Sequence, residues 1–302
     1  MLLFFIIFAN LNAMLDEQTL IKINKFIQNM PPLPTSVSKV LEISRNPKAD
    51  AKELNNVISL DPVLTGKVLK LINSAYYSLP NQVTSIVRAI IMLGINTVKN
   101  LVLSTAVVSN VKNKTNFNAL DMEAFWRHSI CVGVMAKTFA AKQGFDAKIL
   151  EEFFVAGLLH DIGKIPFNAV IPDDYIKAIS FSQQSKVSLE QVESKMFELN
   201  HSDIGFRISE LWKLNKTLSD TIRFHHNFQE CDIESKKFVA TVSLANMVTN
   251  SLEIGFGGNK FPDKREEEIF QITGLKWKDI DEAEESAGAA LKKAEIFLNL
   301  IQ

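Results

Sequence analysis

All five histidines of the chain fall between residues 128 and 226, and one of them is followed directly by an aspartate. The pair His160-Asp161 lies at the end of the apolar segment FFVAGLLHDIGK. An imidazole and a carboxylate at a helix terminus can turn toward one cavity, because the chain there leaves regular geometry. Together these ligand types suit Zn, Fe, Mn or Ni, and mixed sites can hold one or two divalent ions. The remaining candidate ligands are His128, His201, His225 and His226.

Phosphoester hydrolysis is the chemistry that this residue set favours. Two ions ~3.5–4 Å apart can clamp the attacking and leaving oxygens of a phosphoester. Lys164, just beyond Gly163, would supply a cation for a phosphate oxygen. The alternative is that the histidines only fill a buried cavity, and the residue types alone leave both possibilities open.

The elements that must position these residues are helices. Long segments repeat apolar residues at helical spacing, and no segment shows the strict alternation of a half-buried strand, so the predicted fold class is all-α. Gly94, Gly144 and Gly163 fall where helices are expected to stop. The helices predicted to carry the histidines span 121–143, 147–160, about 188–212 and 216–226, and another follows at 236–252.

The N-terminal part, 16–115, reads as a series of short helices. They are predicted at 36–44, 63–74, 85–93 and 95–110, and Asp61-Pro62 is a strong start signal for the second of them. The last two could form a DNA-binding helix-turn-helix. The final helix, INTVKNLVLSTAVVSN, is mostly apolar, however, which favours packing over contact with a groove.

Bulk composition excludes some classes of protein. A net charge of −1 over 302 residues gives no electrostatic reason to expect nucleic acid. Cys131 and Cys231 form no CxxC pattern, which favours two buried reduced thiols and a cytoplasmic location. The apolar extension 1–15 is too short for a ~20-residue membrane span and lacks the basic segment of a signal peptide. Translation from Met14 is an alternative start.

Two sets of motifs resemble known families. The order His128, HDIGK, HSDIG and His225-His226 is similar to the HD superfamily of metal phosphohydrolases, especially the HD-GYP branch that hydrolyses cyclic di-GMP. The stretches MPPLPTSVSKVLEI, LDPVLTGKVLKLINSAYYSLP and SIVRAIIMLGINTVKNLVLS closely resemble the HDOD domain. This second resemblance covers roughly 24–250. It implies an HD-like helical bundle, 116–252, after an N-terminal helical subdomain, 16–115, and before a helical tail, 253–302.

The resemblance also implies a ligand set. The metal positions of catalytic HD proteins match His128, His160, Asp161, His201, His225 and His226. The final aspartate of the family is matched by Asn246 in SLANMV, whose neutral amide is a weak metal ligand. The sequence NFQECDIE after His226 lacks the Gly-Tyr-Pro loop of the cyclic-di-GMP hydrolases.

Two interpretations of function follow from this resemblance. The departures favour a bacterial signalling module, non-catalytic or weakly catalytic, that acts through a protein partner. The alternative is a metal-dependent phosphohydrolase that acts on a nucleotide or cyclic dinucleotide, with Asp161 and Lys164 in catalytic roles. A nucleic-acid regulator that uses 95–110 is the least favoured hypothesis, and no membrane span is expected.

Overall fold

The computed structural model describes residues 17–30, 33–44, 46, 49–112, 117–260, 266–285 and 287–301. Every regular element in these ranges is a helix, which confirms the all-α class. The extension 1–15, with the alternative start Met14, lies outside the described residues. Within them, no helix has both the length and the apolar character that crossing a membrane requires.

The N-terminal part contains six helices within the described residues. They are α1 (Glu17–Gln28), α2 (Thr35–Ile43), α3 (Ala51–Ile58), α4 (Pro62–Ile72), α5 (Ile86–Leu93) and α6 (Ile95–Lys112). The start signal at Asp61 works as predicted, since its side chain accepts a hydrogen bond from the backbone N–H of Leu64 at 2.9 Å. Gly94 separates α5 from α6 with a φ of 85°, a conformation that favours glycine.

The second part continues with helices that carry the candidate ligands. They are α7 (Met122–Lys142), α8 (Leu150–Leu159), α9 (Lys164–Val170), α10 (Pro172–Ser185), α11 (Leu189–Phe197), α12 (His201–Leu211), α13 (Lys216–Phe224) and α14 (Ile233–Ser251). The tail adds α15 (Glu266–Thr273), α16 (Trp277–Glu285) and α17 (Ala287–Ile301).

Two of the predicted helical segments are interrupted. The segment 188–212 forms α11 and α12, because Glu198 adopts a left-handed φ of 55° and Asn200 caps a new helix through its bond to the backbone N–H of Asp203. The segment 147–160 begins with the short 3-10 helix Ala147–Ile149, which Asp146 caps, before α8 starts. The first break turns the chain just ahead of the candidate ligand His201.

Helix α6 is enclosed by the rest of the protein. None of its described side chains from Ile95 to Ser109 is exposed, and all of those from Leu101 to Val108 are buried. A recognition helix must present side chains to base edges in a groove. The packing role that the sequence favours for this helix is therefore the one that the structure supports.

One continuous hydrophobic core joins the N-terminal helices to the bundle. At its centre α7 and α8 approach so closely that a Cβ on Gly157 would lie 2.5 Å from the backbone nitrogen of Gly133. Because only glycine permits this approach, helix α7, which carries His128, and helix α8, which leads to His160, are held against each other. Cys131 and Cys231 are buried and form no disulfide. The domain limits stay a prediction.

Candidate metal centre

The six predicted ligands converge around Asp161, and all six side chains are buried. They form two groups, and the ligand atoms of each group lie within 4.8 Å of one another. The first group is Asp161, His201, His225 and His226, and the second is His128, His160 and Asp161. Asp161 belongs to both.

Each carboxylate oxygen of Asp161 faces one group. Its Oδ1 lies 3.3 Å from Nε2 of His201 and 3.6 Å from Nε2 of His225. Its Oδ2 lies 3.2 Å from Nε2 of His160 and 3.9 Å from Nε2 of His128. The Nε2 atoms of His226 and His201 are 3.1 Å apart. The carboxylate can therefore be shared between two neighbouring cation positions.

The turn between α8 and α9 sets the position of Asp161. Gly163 in this turn contacts the start of α12, since a Cβ there would lie 1.9 Å from the backbone oxygen of His201. The sequence predicts Gly163 as a helix stop, as it does Gly144, but its φ of −69° needs no glycine. The requirement is the close approach, which brings His160-Asp161 beside the N-terminal end of α12.

Hydrogen bonds at Nδ1 orient three of the histidines. Nδ1 of His160 donates to the carbonyl of Gly157 at 2.7 Å, and Nδ1 of His225 donates to the carbonyl of Ile222 at 3.0 Å. In His201, Nδ1 donates to Oε2 of Glu193 at 2.5 Å. A proton on Nδ1 leaves the lone pair on Nε2, the atom that faces Asp161 in each case.

Glu193 is a site residue that sequence reasoning missed. It is fully buried, and it also accepts hydrogen bonds from the backbone N–H of His201 at 2.9 Å and from the hydroxyl of Tyr175 at 2.8 Å. Burial raises the pKa of its carboxyl to about 7. A carboxylate that holds a ligating histidine is a common support of metal sites. In the sequence, Glu193 lies in a helix with other acidic residues and looks like part of a solvated face.

The charge state of the cluster suits a divalent cation. Burial lowers the pKa of His128 and of His225 to about 3, so both imidazoles are neutral at pH 7, the form that binds metal. Among the described residues, Nε2 of His160 and Oδ1 of Asp161 have no hydrogen-bond partner although both atoms are buried. Buried polar atoms without partners are costly, and a cation in the group of Asp161, His201, His225 and His226 would satisfy Oδ1. The residues present therefore fit a metal ion.

Asn246 and Lys164 are both engaged in hydrogen bonds within the protein. Asn246 acts on the pKa of His128 in the direction opposite to burial, and its Oδ1 accepts from Nδ2 of Asn250 at 2.8 Å. Lys164 is almost completely buried, and its Nζ donates to Oδ2 of Asp161 at 2.7 Å and to the carbonyl of Gly257 at 2.8 Å. The Lys164 ammonium is thus bonded to Oδ2 of Asp161, the oxygen that a second cation would need as a ligand.

A segment of the tail covers the cluster. Residues 254–259, called the strap here, are anchored by a hydrogen bond from the backbone N–H of Phe256 to the carbonyl of Ala124 at 3.0 Å. A Cβ on Gly257 would lie 2.8 Å from Cδ2 of His128 and 3.0 Å from Oδ2 of Asp161. Three of the six residues of the strap are glycines. The structure places it directly against two candidate ligands.

Substituting Gly257 by alanine is expected to loosen the strap. The backbone of Gly257 is not left-handed, so the effect is steric alone. Overpacking costs about 1–3 kcal/mol, which corresponds to an increase of about 5- to 150-fold in the population of the open strap. Metal release to a chelator should accelerate accordingly in zinc-loaded protein. Gly66→Ala is the matched control, because nothing lies within 4 Å of a Cβ at that exposed helical position. Equal release rates in the two variants would contradict the covering role.

Comparison with known proteins agrees with this architecture. The profile of the family described as HDOD domain matches residues 30–228. An uncharacterized protein of Treponema pallidum (strain Nichols) is 28% identical over 230 residues. That alignment covers 75% of this chain and 43% of the relative, so the chain spans less than half of the length of this curated relative.

Solved structures share the fold over nearly the whole chain. An HDOD domain protein from Geobacter sulfurreducens aligns with a TM-score of 0.75 and 24% identity, covering 94% of this chain and 98% of its own. A protein from Shewanella amazonensis SB2B, named as a candidate phosphohydrolase, aligns with a TM-score of 0.67 and 23% identity, covering 91% and 98%. At these identities the likeness shows the fold, and the profile match over most of the chain shows the family. The chain belongs to the HDOD domain family.

Proposed function

We propose that this protein is a bacterial signalling module that retains an HD-type metal site for one divalent ion, with catalysis absent or weak. The observation that carries the proposal is the position of Lys164. Its ammonium is held between the Oδ2 of Asp161 and the carbonyl of Gly257, at 2.7 and 2.8 Å.

The charges around Asp161 favour a single ion. A second cation in the group of His128 and His160 would share Oδ2 with the Lys164 ammonium and would be repelled by it. The neutral Asn246 supplies no compensating charge there. Among the residues that the structure describes, no ammonium is bonded to the Asp161 oxygen that faces His201, His225 and His226, and this group offers three imidazoles besides Oδ1 of Asp161. Three nitrogens and one oxygen suit Zn, Fe, Mn or Ni.

The closed state of the site argues against rapid turnover. A bound ion would act as a Lewis acid toward an oxygen of a substrate. A phosphate-bearing substrate would also need the Lys164 ammonium and the space above Asp161. The strap fills that space, since Gly257 is in close contact with Asp161. The strap also binds the ammonium, since the carbonyl of Gly257 accepts a hydrogen bond from Lys164.

The second candidate function is a phosphohydrolase that acts on a nucleotide or cyclic dinucleotide. The observation in its favour is that six ligands form two groups that share one carboxylate, as a two-ion site requires. In that function Asp161 would bridge the ions, and Lys164 would leave the strap to bind a phosphate oxygen.

Metal content measured by elemental analysis distinguishes the two. Untagged protein supplied with Zn, Fe, Mn or Ni is expected to hold one equivalent and to hydrolyse bis-p-nitrophenyl phosphate at background rate. If the protein is a weakened enzyme, Asn246→Asp should raise both the metal content and the rate. Asn250→Asp is the matched control, because it adds the same charge one turn further along α14. Two equivalents with hydrolysis in the unaltered protein would overturn the one-ion proposal, and no metal at all would leave the histidines as packing residues.

We also propose that the module acts by binding a protein partner, and that a nucleotide is the alternative ligand. The resemblance of the N-terminal stretches to a family associated with bacterial regulation supports the partner. The enclosed helix α6 argues against nucleic acid as that partner. Two buried thiols without a disulfide are in keeping with the cytoplasmic location that we propose.

A further inference from the structure

Two adjoining cavities lie where the N-terminal helices meet the bundle. Their volumes are about 450 and 220 Å³, and Leu41 and Lys213 line both of them. We call the pair the junction groove. Its larger part has the size of a small-molecule site. It lies away from the metal centre, and its lining contains none of the candidate ligands.

Two residues that line this groove each carry a buried N–H donor without a partner among the described residues. One is Nε1 of Trp212 in the larger cavity, and the other is Nδ2 of Asn100 in the smaller one. Only 5% of Trp212 and 2% of Asn100 is exposed. Since most buried donors in proteins are hydrogen-bonded, both donors call for acceptor atoms. A ligand in the groove could supply them.

The charges of the groove specify the kind of acceptor. Lys99 is partly buried and lines the smaller cavity beside Asn100. Burial lowers the pKa of its ammonium, and the Glu152 carboxylate acts in the opposite direction. The N-terminal end of α13, which Asn215 caps, lines the same cavity and adds the positive end of a helix dipole. The acidic residue in the larger cavity, Glu42, is exposed, so water screens its charge.

The rest of the lining is mainly leucine, so the groove offers an apolar wall around a few donors. Leu33, Leu41 and Leu211 contribute to the larger cavity, and Leu103, Leu214 and Leu218 to the smaller one. We propose that the junction groove binds a small organic anion with an apolar body, whose acidic group accepts hydrogen bonds from Lys99 and Asn100.

The location gives this site a connection to the metal centre. Helix α12 begins at His201 and ends at its C-cap, Trp212. Helix α13 begins after Asn215 and ends just before His225. The groove and three candidate metal ligands therefore occupy opposite ends of one helical hairpin, about 16 Å apart for an 11-residue helix. The binding proposal itself does not depend on whether metal is bound.

Binding of 8-anilinonaphthalene-1-sulfonate, an aromatic sulfonate of this chemical class, tests the proposal. The full chain is expected to bind one equivalent and to show energy transfer from tryptophan that falls in Trp212→Phe, in which Trp126 and Trp277 remain as donors. Lys99→Met should weaken binding about 10-fold, because a charge-assisted hydrogen bond is removed. Lys177→Met is the control, because that lysine is exposed and lies outside the groove.

Asn100→Leu separates lost binding from lost folding. It removes a donor that has no partner among the described residues, so the free protein should unfold at the same temperature or higher. Its affinity for the sulfonate should nevertheless fall. Unchanged affinity in both Lys99→Met and Asn100→Leu, or several equivalents bound without regard to these substitutions, would overturn the proposal.

Discussion

Replacing Lys164 with methionine is expected to lower the free energy of unfolding of the metal-free protein by about 3–5 kcal/mol. Both Lys164 and Asp161 are 1% exposed, and the ammonium is the cation nearest to the carboxylate, at 2.7 Å. Removing it leaves Asp161 as an uncompensated buried charge. A divalent ion restores that compensation, so the stabilisation by added zinc should be larger in the variant than in the unaltered protein.

The chain contains a matched control for this experiment. Lys177 and Asp174 have the same i,i+3 spacing and the same 2.7 Å separation, but 69% and 48% of their side chains are exposed. Water screens such a pair, so Lys177→Met should leave stability unchanged. The check is chemical denaturation of both variants with and without zinc. Equal, small effects at the two positions would show that Lys164 does not neutralise the cluster.

The same substitution also tests the metal count. Methionine frees Oδ2 of Asp161, which His160 and His128 already face at 3.2 and 3.9 Å between Nε2 and Oδ2. The metal content of Lys164→Met should therefore rise above one equivalent. An unchanged single equivalent would assign the limit to Asn246 instead of to the lysine.

The helices and their caps could be predicted because the information is local. Asp61, Asp121 and Asp146 each bond to a backbone N–H two or three residues further along the chain, and the residue type alone signals the bond. The breaks at Glu198 and within 147–160 were not predicted. A left-handed glutamate and a 3-10 turn leave no comparable signal in the amino-acid sequence.

The candidate ligands could be named from their types and order, but their supports could not. Glu193 is linked to His201 across eight residues, and Lys164 to Gly257 across 93. Neither separation follows from helical periodicity. The role of Gly163 was misjudged for the same reason, since its constraint is the backbone of His201 and not its own φ. Close approaches between distant segments are set by packing, which one sequence does not display.

Asp161→Asn is expected to abolish metal binding, with a loss of more than about 100-fold in affinity, because this carboxylate is the member common to both ligand groups. The amide keeps the size of the side chain and removes its charge. Elemental analysis and zinc-dependent thermal stability measure the effect. Asp203→Asn is the control, since Asp203 lies two residues after His201 but belongs to neither ligand group. Retention of the ion by Asp161→Asn would move the site away from the histidine cluster.

Combining the two substitutions separates the charge of the pair from its role in metal binding. Each single variant leaves one buried charge without its partner, whereas Asp161→Asn with Lys164→Met leaves none. In the metal-free protein, the double variant should therefore lose less free energy of unfolding than the two single variants lose together. The expected difference, the coupling energy, is about 1–3 kcal/mol. It should still bind no metal, because Asp161 is the only carboxylate in either ligand group of the described residues. If the double variant regains stability but still binds no metal, the role of Lys164 is to neutralise the charge of Asp161 in the metal-free protein.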